Sequence, residues 1–222
     1  MYNMKVLVFD TETTGLIPKN PKSLAEWPHI VQLSCIFIDL DRLDEMYVDN
    51  FIVNPEVDIP TVTSDIHGIT NEIAKRDGIA IRDVLLRITA WLDEVDVLVA
   101  HNLSFDKRMF MVECIRNNIN QCFSKRDDLG IKINKKEYCT MKNTINLCKI
   151  EKINKYGNIY YKYPKLIELY SMLFNNCDVK NLHDSMADIL VCFRCYYYLE
   201  YKKDIYKICN KKLKNIFELY CN

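Results

Sequence analysis

The chain has 222 residues, 49% apolar and 27% charged, which supplies a sizeable core and excludes a disordered or fibrous chain. Five glycines and six prolines exclude long flexible linkers. Thirty basic and thirty acidic residues cancel, so net charge alone points to no highly charged partner.

In chain order, Lys5–Phe9 (KVLVF) is a short apolar run that reads as a buried strand with Asp10 at its tip. Ile30–Asp39 and Met46–Val53 read as two further strands, joined closely enough for a hairpin. Thr70–Ala74 suggests a brief helical turn. In Val84–Glu94, apolar residues at 84, 85, 88, 91 and 92 predict an amphipathic helix. Val95–Ala100 predicts a buried strand leading into HNLSFD. Ser104 is placed to cap a helix over Phe105–Asn117, with Phe105, Met109, Val112 and Ile115 inward. Glu137–Thr140 is a fifth candidate strand. Helices are expected over Lys165–Asn175 and from Ser185 to about Lys207. Three hairpin-linked strands followed by alternating strands and helices predict an α/β fold, a mixed five-stranded sheet with helices on both faces. The expected organisation is a single domain over 1–222 with an unassigned basic insertion at about 120–163.

Charge is unevenly spread. Residues 125–165 hold eleven Lys or Arg against four acids, a net of +7, with tyrosines at 138, 156, 160, 161 and 163. Such a stretch can contact phosphates and stack on bases, and it can equally be a solvated loop. Ten cysteines sit in a chain without a recognisable signal peptide or membrane-length apolar run, so they read as reduced thiols of an intracellular compartment, with no membrane association. Cys192 and Cys195 form a CxxC inside a helical pattern without a second ligand pair, which favours packing over zinc.

Three acidic clusters carry the chemistry. In VFDTETTG, Asp10 and Glu12 lie two residues apart and therefore face the same way on an extended chain. Two carboxylates held together repel unless a cation lies between them, and a hard divalent ion needs such oxygen ligands. Gly15 lets the main chain of Thr13–Gly15 turn toward a ligand. Asp106 falls in the first turn of its helix, where it either caps that helix or joins the other acids. Asp188 lies one turn into the last long helix among Met186, Ile189, Leu190 and Phe193, and an acid there needs a partner. His183, just before that helix, is a suitable base for taking a proton from water near neutral pH.

Together FDTETTGL, HNLSFD and HDSMAD resemble the three motifs of the DEDDh exonucleases within the ribonuclease-H-like superfamily. That group includes the proofreading exonuclease of bacterial replicative DNA polymerase, ribonuclease T and oligoribonuclease. IHGIT at 66–70 resembles a segment of the proofreading branch. The resemblance implies a fold, a 3′→5′ exonuclease activity and roles for residues. Asp10, Glu12 and Asp188 would hold one of two divalent ions, Mg2+ or Mn2+, with Asp10 reaching the second. Asp106 would hold that second ion through water, and His183 would be the general base. Thr13, Thr14 and Leu16 would hold the terminal nucleotides, with His67 and Asn102 as further substrate contacts. The implied substrate is a single-stranded or frayed 3′ end of nucleic acid, DNA favoured over RNA, and a DNA polymerase is an implied partner. An RNA-directed exonuclease and a non-catalytic nucleic-acid or polymerase-binding module are the competing expectations.

Overall fold

The apolar run at the start of the chain forms strand β1 (Lys5–Thr13), which continues through Asp10 and Glu12 instead of ending at Phe9. The computed structural model describes residues 4–120, 123–126, 132–175, 179 and 183–221. All ten residues of β2 (Ile30–Asp39) are buried, as expected of a strand covered on both faces. It turns tightly into β3 (Arg42–Asn54), which is longer than the predicted 46–53. The turn is held by Asp39, which accepts from the Asp41 main-chain N–H at 3.0 Å and from the Arg42 guanidinium at 3.3 Å.

A 3₁₀ turn at Leu24–Glu26 precedes β2. After β3 come two short helices, α1 (Thr61–His67) and α2 (Asn71–Asp77). Thr70 caps α2 by accepting from Ile73, which starts the helix where sequence placed only a turn. Then follow β4 (Ile79–Ala80), α3 (Ile81–Leu92), β5 (Val97–Ala100) and α4 (Leu103–Arg116). The basic region contains a ribbon of β6 (Ser124–Arg126) and β7 (Lys132–Asn134), then β8 (Lys136–Cys139). Two short helices, α5 (Thr140–Asn143) and α6 (Ile145–Cys148), lead to a second ribbon, β9 (Glu151–Ile153) and β10 (Ile159–Tyr161). The chain closes with α7 (Leu166–Phe174), α8 (Ser185–Tyr201), α9 (Ile205–Ile208) and α10 (Lys211–Cys221).

The main sheet has the order β4-β3-β2-β1-β5-β8. β1, β2 and β3 are antiparallel, whereas β5 and β8 run parallel to β1. The predicted five strands are present, and the sixth is the two-residue β4, too short to carry a periodic signal. The expected ribonuclease-H-like arrangement holds: β8 belongs to the sheet, and the described residues on either side of it within 120–163 include two ribbons.

Alternation along the strands sorts the core. Val6, Val8, Ile36 and Ile38 pack with α8, while Leu7, Phe9, Cys35 and Phe37 pack with the α3 and α4 side. The pattern predicted for α4 fails at one point. Ile115 is 49% exposed, and Phe110 and Cys114 take inward positions, because Ile115 lies about 100° around the helix from Cys114, off the stripe that packs on the sheet.

The last predicted helix also ends early. Lys202 adopts a left-handed conformation with φ of 55°. Asp204 then caps α9 through the Tyr206 N–H and grips Arg194 with both oxygens at 2.9 Å. This reversal folds α10 back on α8, burying Leu213, Phe217 and Cys221. The i, i+4, i+8 spacing of those residues was the available signal.

Candidate active site

Because β1 and β5 are parallel, the acids late in β1 and the HNLSFD segment after β5 emerge at the same end of the sheet. That is the edge at which open α/β sheets form ligand crevices. Even positions of β1 face α8, so Asp10 and Glu12 point toward the start of that helix, where His183 and Asp188 lie. Ligand atoms of Glu12, His183 and Asp188 lie within 4.8 Å of one another. His183 is exposed, with φ of 76°, and its main-chain N–H is bonded to the Asp188 carboxylate.

Thr11 faces the other way, toward α4. Asp106 is 2% exposed and accepts from the Thr11 N–H at 3.0 Å and from its hydroxyl at 2.9 Å. Asp106 thus keeps a bond to its own main-chain N–H at the start of α4 and adds a contact to the strand. The residue at the helix N-cap is Asn102, not Ser104; Asn102 has φ of 72°, and the Ser104 hydroxyl donates to it at 3.4 Å. Asn is one of the few side chains that tolerate this left-handed conformation.

The electrostatics are those of crowded, buried carboxylates. Burial, then Asp106, Asp188, Glu12 and Asp184, push the Asp10 carboxyl well above the usual range. Glu12 is pushed up to about 8 by burial and the neighbouring acids. Asp106 rises to about 7 by burial, against the opposing hydrogen bonds from Thr11. Asp188 rises to about 7, mainly by burial, with the His183 N–H acting against it. Burial and mutual repulsion disfavour the charged form of each of these carboxyls. The donor set is all oxygen plus one imidazole, which suits a hard divalent cation.

The remaining predicted residues border this cluster. The Thr13 hydroxyl donates to Gly15 O at 2.7 Å, and the Thr14 hydroxyl accepts from His29 N at 2.9 Å. Their side chains are therefore partly committed to the turn, which leaves less hydrogen-bonding capacity for a ligand than the sequence suggested. Gly15 does not need a left-handed conformation, and a Cβ there meets nothing within 4 Å. Leu16 is 85% exposed, a large apolar side chain held in solvent beside the acids. The side chains of Thr14, Leu16, Trp27, His29 and Val57 line a cavity of 350 Å³. His67 ends α1, accepts from Ile69 N at 3.1 Å, and keeps a buried Nε2 without a side-chain partner. Burial lowers its pKa, offset in part by the main chain of Thr13.

Three neighbours went unremarked in the sequence. Asp184 caps α8 through Met186 N at 2.8 Å and adds to the repulsion felt by the other acids. Gln32, opposite Glu12 on β2, donates to Asn50 at 3.0 Å and to Asp184 at 3.4 Å, and accepts from Ser185 N at 3.3 Å. With the Ser34–Ser185 hydroxyl pair, it seats the start of α8 against the sheet. Asp184 was legible as the cap before an apolar helix. Gln32 and Thr11 were not, because their partners lie far away in sequence.

The family model described as exonuclease, RNase_T, matches residues 7–196. A DNA polymerase III PolC-type of Oceanobacillus iheyensis is 34% identical over 108 residues, 48% of this chain and 7% of that protein. A DNA polymerase III subunit epsilon-like protein of Rhodobacter capsulatus is 38% identical over 100 residues, 45% of this chain and 13% of that protein. The matched segments are thus a small part of those relatives. E. coli exonuclease I in complex with a dT13 oligonucleotide has the same fold, with a TM-score of 0.62 and 17% identity over 92% of this chain and 42% of that one.

Proposed function

The chain belongs to the RNase_T exonuclease family, and we propose that it is a 3′→5′ exonuclease that removes nucleoside 5′-monophosphates from single-stranded or frayed DNA ends. The observation that carries this reading is the convergence of Glu12, His183 and Asp188 within 4.8 Å, beside Asp10 and Asp106. Asp10, Glu12 and Asp188 would hold one divalent ion, Mg2+ or Mn2+, and Asp106 would help hold a second. When bound, the two ions supply an acidified water and charge stabilisation at the scissile phosphate.

The protein's own groups do the rest. Thr11 orients Asp106, and the His183 N–H orients Asp188. The His183 imidazole takes the proton as the water oxygen bonds to phosphorus and the bond to the 3′ oxygen breaks. Leu16, already exposed, packs against the last bases. The main chain of Thr13 and Thr14, with Asn102 and His67, supplies hydrogen bonds to the terminal nucleotide. Support for DNA comes from IHGIT at 66–70 and from the DNA polymerase III relatives, which also make a polymerase a proposed partner. The same reading takes 1–222 as one exonuclease domain. Among the described residues all eight cysteines are free, which supports a reducing compartment, and no helix is long and apolar enough to cross a membrane.

The test is digestion of matched end-labelled single-stranded DNA, duplex DNA and RNA with Mg2+ or Mn2+. Stepwise loss of 5′-monophosphates from the 3′ end of single-stranded DNA is expected. Preference for RNA would make it an exoribonuclease, and binding without hydrolysis would make it a binding module. The same triplet of residues favours a second reading in which His183 is itself a metal ligand.

A further inference from the structure

The ribbon of β9 and β10 stands outside the main sheet, and all six of its strand residues are exposed. A two-stranded ribbon with neither face packed is marginal in water. This one is nonetheless firmly built at both ends. At the tip, Gly157 turns with φ of 82°, and the Asn154 side chain accepts from Tyr156 N at 2.9 Å and Asn158 N at 3.0 Å. At the root, Lys162 N donates to Ile150 O at 2.9 Å, and the Lys162 ammonium is held by Glu168. The buried Pro164 carbonyl lies 3.1 Å from His101 Nε2. His101 directly precedes Asn102 and α4, so the ribbon is rooted at the rim of the acid cluster.

Its chemistry is one-sided in charge. Residues 149–163 carry four lysines and one acid, with four tyrosines. Lys149, Lys152 and Lys155 have no carboxylate partner among the described residues. Register places Lys152 opposite Tyr160 on one face, and Lys155 lies over the Tyr156 ring at 4.9 Å. Tyr156 is 75% exposed and Tyr160 46%. Exposed rings on a ribbon hydrogen-bonded at both ends can stack on bases, and the adjacent ammonium groups can contact phosphates.

We propose that the β9–β10 ribbon is a secondary binding platform for the single-stranded part of the substrate upstream of its 3′ end, with Tyr156 and Tyr160 stacking on bases and Lys152 and Lys155 on phosphates. This rests on the exonuclease reading for the identity of the strand. The other face, Ile153 opposite Ile159, would suit a protein, but the lysine excess and the root beside Asn102 favour the polyanion.

The experiment uses the full chain and two exposed double variants, Tyr156→Ala with Tyr160→Ala and Lys152→Ala with Lys155→Ala. Fluorescence anisotropy of a labelled thymidine oligonucleotide of about twenty residues, in chelator, needs no turnover. The tyrosine variant should bind about 10-fold or more weakly. The lysine variant should lower the salt slope by about 1.4, at roughly 0.7 per phosphate contact on a single strand. In turnover, the preference for the long oligonucleotide over a dinucleotide should fall about 10-fold in both. Unchanged affinity and slope would overturn the proposal and leave the ribbon for a protein partner. Ribbon-dependent binding by a wild-type protein that hydrolyses nothing would support the ribbon and overturn the exonuclease reading.

Discussion

Asp106 accepts two hydrogen bonds from Thr11, the residue between Asp10 and Glu12 on β1. Alternation along the strand sends the two acids toward α8 and the threonine toward α4. One short segment therefore supplies two carboxylates to the site and fixes a third.

This bond sets the first prediction. Thr11→Val keeps the strand propensity and the main-chain donor but removes the hydroxyl. Metal affinity or turnover should fall by about 10- to 100-fold, as for other residues that orient a ligand. Thr11→Ser should recover most of it. Metal titrations of turnover for the three proteins decide the matter, and equal activity in Thr11→Val would reduce the bond to a helix anchor.

Removal of an acid should separate activity from stability. Asp10→Asn should abolish hydrolysis yet raise the melting temperature in chelator, by about 2–4 °C for each kcal/mol of repulsion relieved. The sign follows from the raised carboxyls. Their stabilising contribution is complete below the unfolded values near 4 and is lost as pH rises through about 7 to 8. Wild-type protein in chelator should thus lose stability across that window, and Mg2+ or Mn2+ should restore it by mass action. Scanning calorimetry with and without metal at several pH values is the measurement. A pH-independent melting temperature in chelator would contradict it.

For His183, substitution by Ala should slow turnover by about 10²- to 10⁴-fold, the usual worth of a general base. Metal should still stabilise the variant. Loss of that stabilisation would instead make His183 a ligand.

Lys135 is set apart from the other lysines of the basic stretch. It is 6% exposed and its ammonium donates to Leu92 O and, at 3.0 Å, to Val95 O, tying the end of α3 to the start of β8. Lys136 lies 3.6 Å from Glu200. Of the two readings of 125–165, phosphate contact and solvated loop, neither describes Lys135. Lys135→Met should cost about 1.5–3 kcal/mol of stability, the range for hydrogen bonds to a charged group. The salt slope of oligonucleotide binding should stay unchanged. Chemical denaturation and anisotropy test both halves.

His101 offers an independent check on the ribbon root. Burial lowers its pKa to about 4, against the opposing Pro164 carbonyl. Stability should then fall as pH drops from about 6.5 toward 4, because the unfolded chain binds the proton first. His101→Asn should flatten that part of the profile in a melting series, and an unaltered profile would remove His101 as its source.

The sequence by itself determined the strands and the order of the motifs. Apolar runs such as KVLVF and IVQLSCIFID have no low-energy place except a sheet covered on both faces, so β1, β2 and β5 were readable from local pattern. The same holds for the pairing of Asp10 with Glu12, since period-two alternation is a property of the strand alone. What only the tertiary structure decided depends on contacts between distant segments. The Asp106–Thr11 bond spans 95 residues and the Gln32–Asp184 bond 152. The start of α4 at Leu103 and the break of α8 at Lys202 were likewise settled by capping and return contacts. Lys135 shows the physical reason: its sequence neighbours describe a basic loop, but the Leu92 and Val95 carbonyls at the passage from α3 to β5 took the ammonium out of solvent.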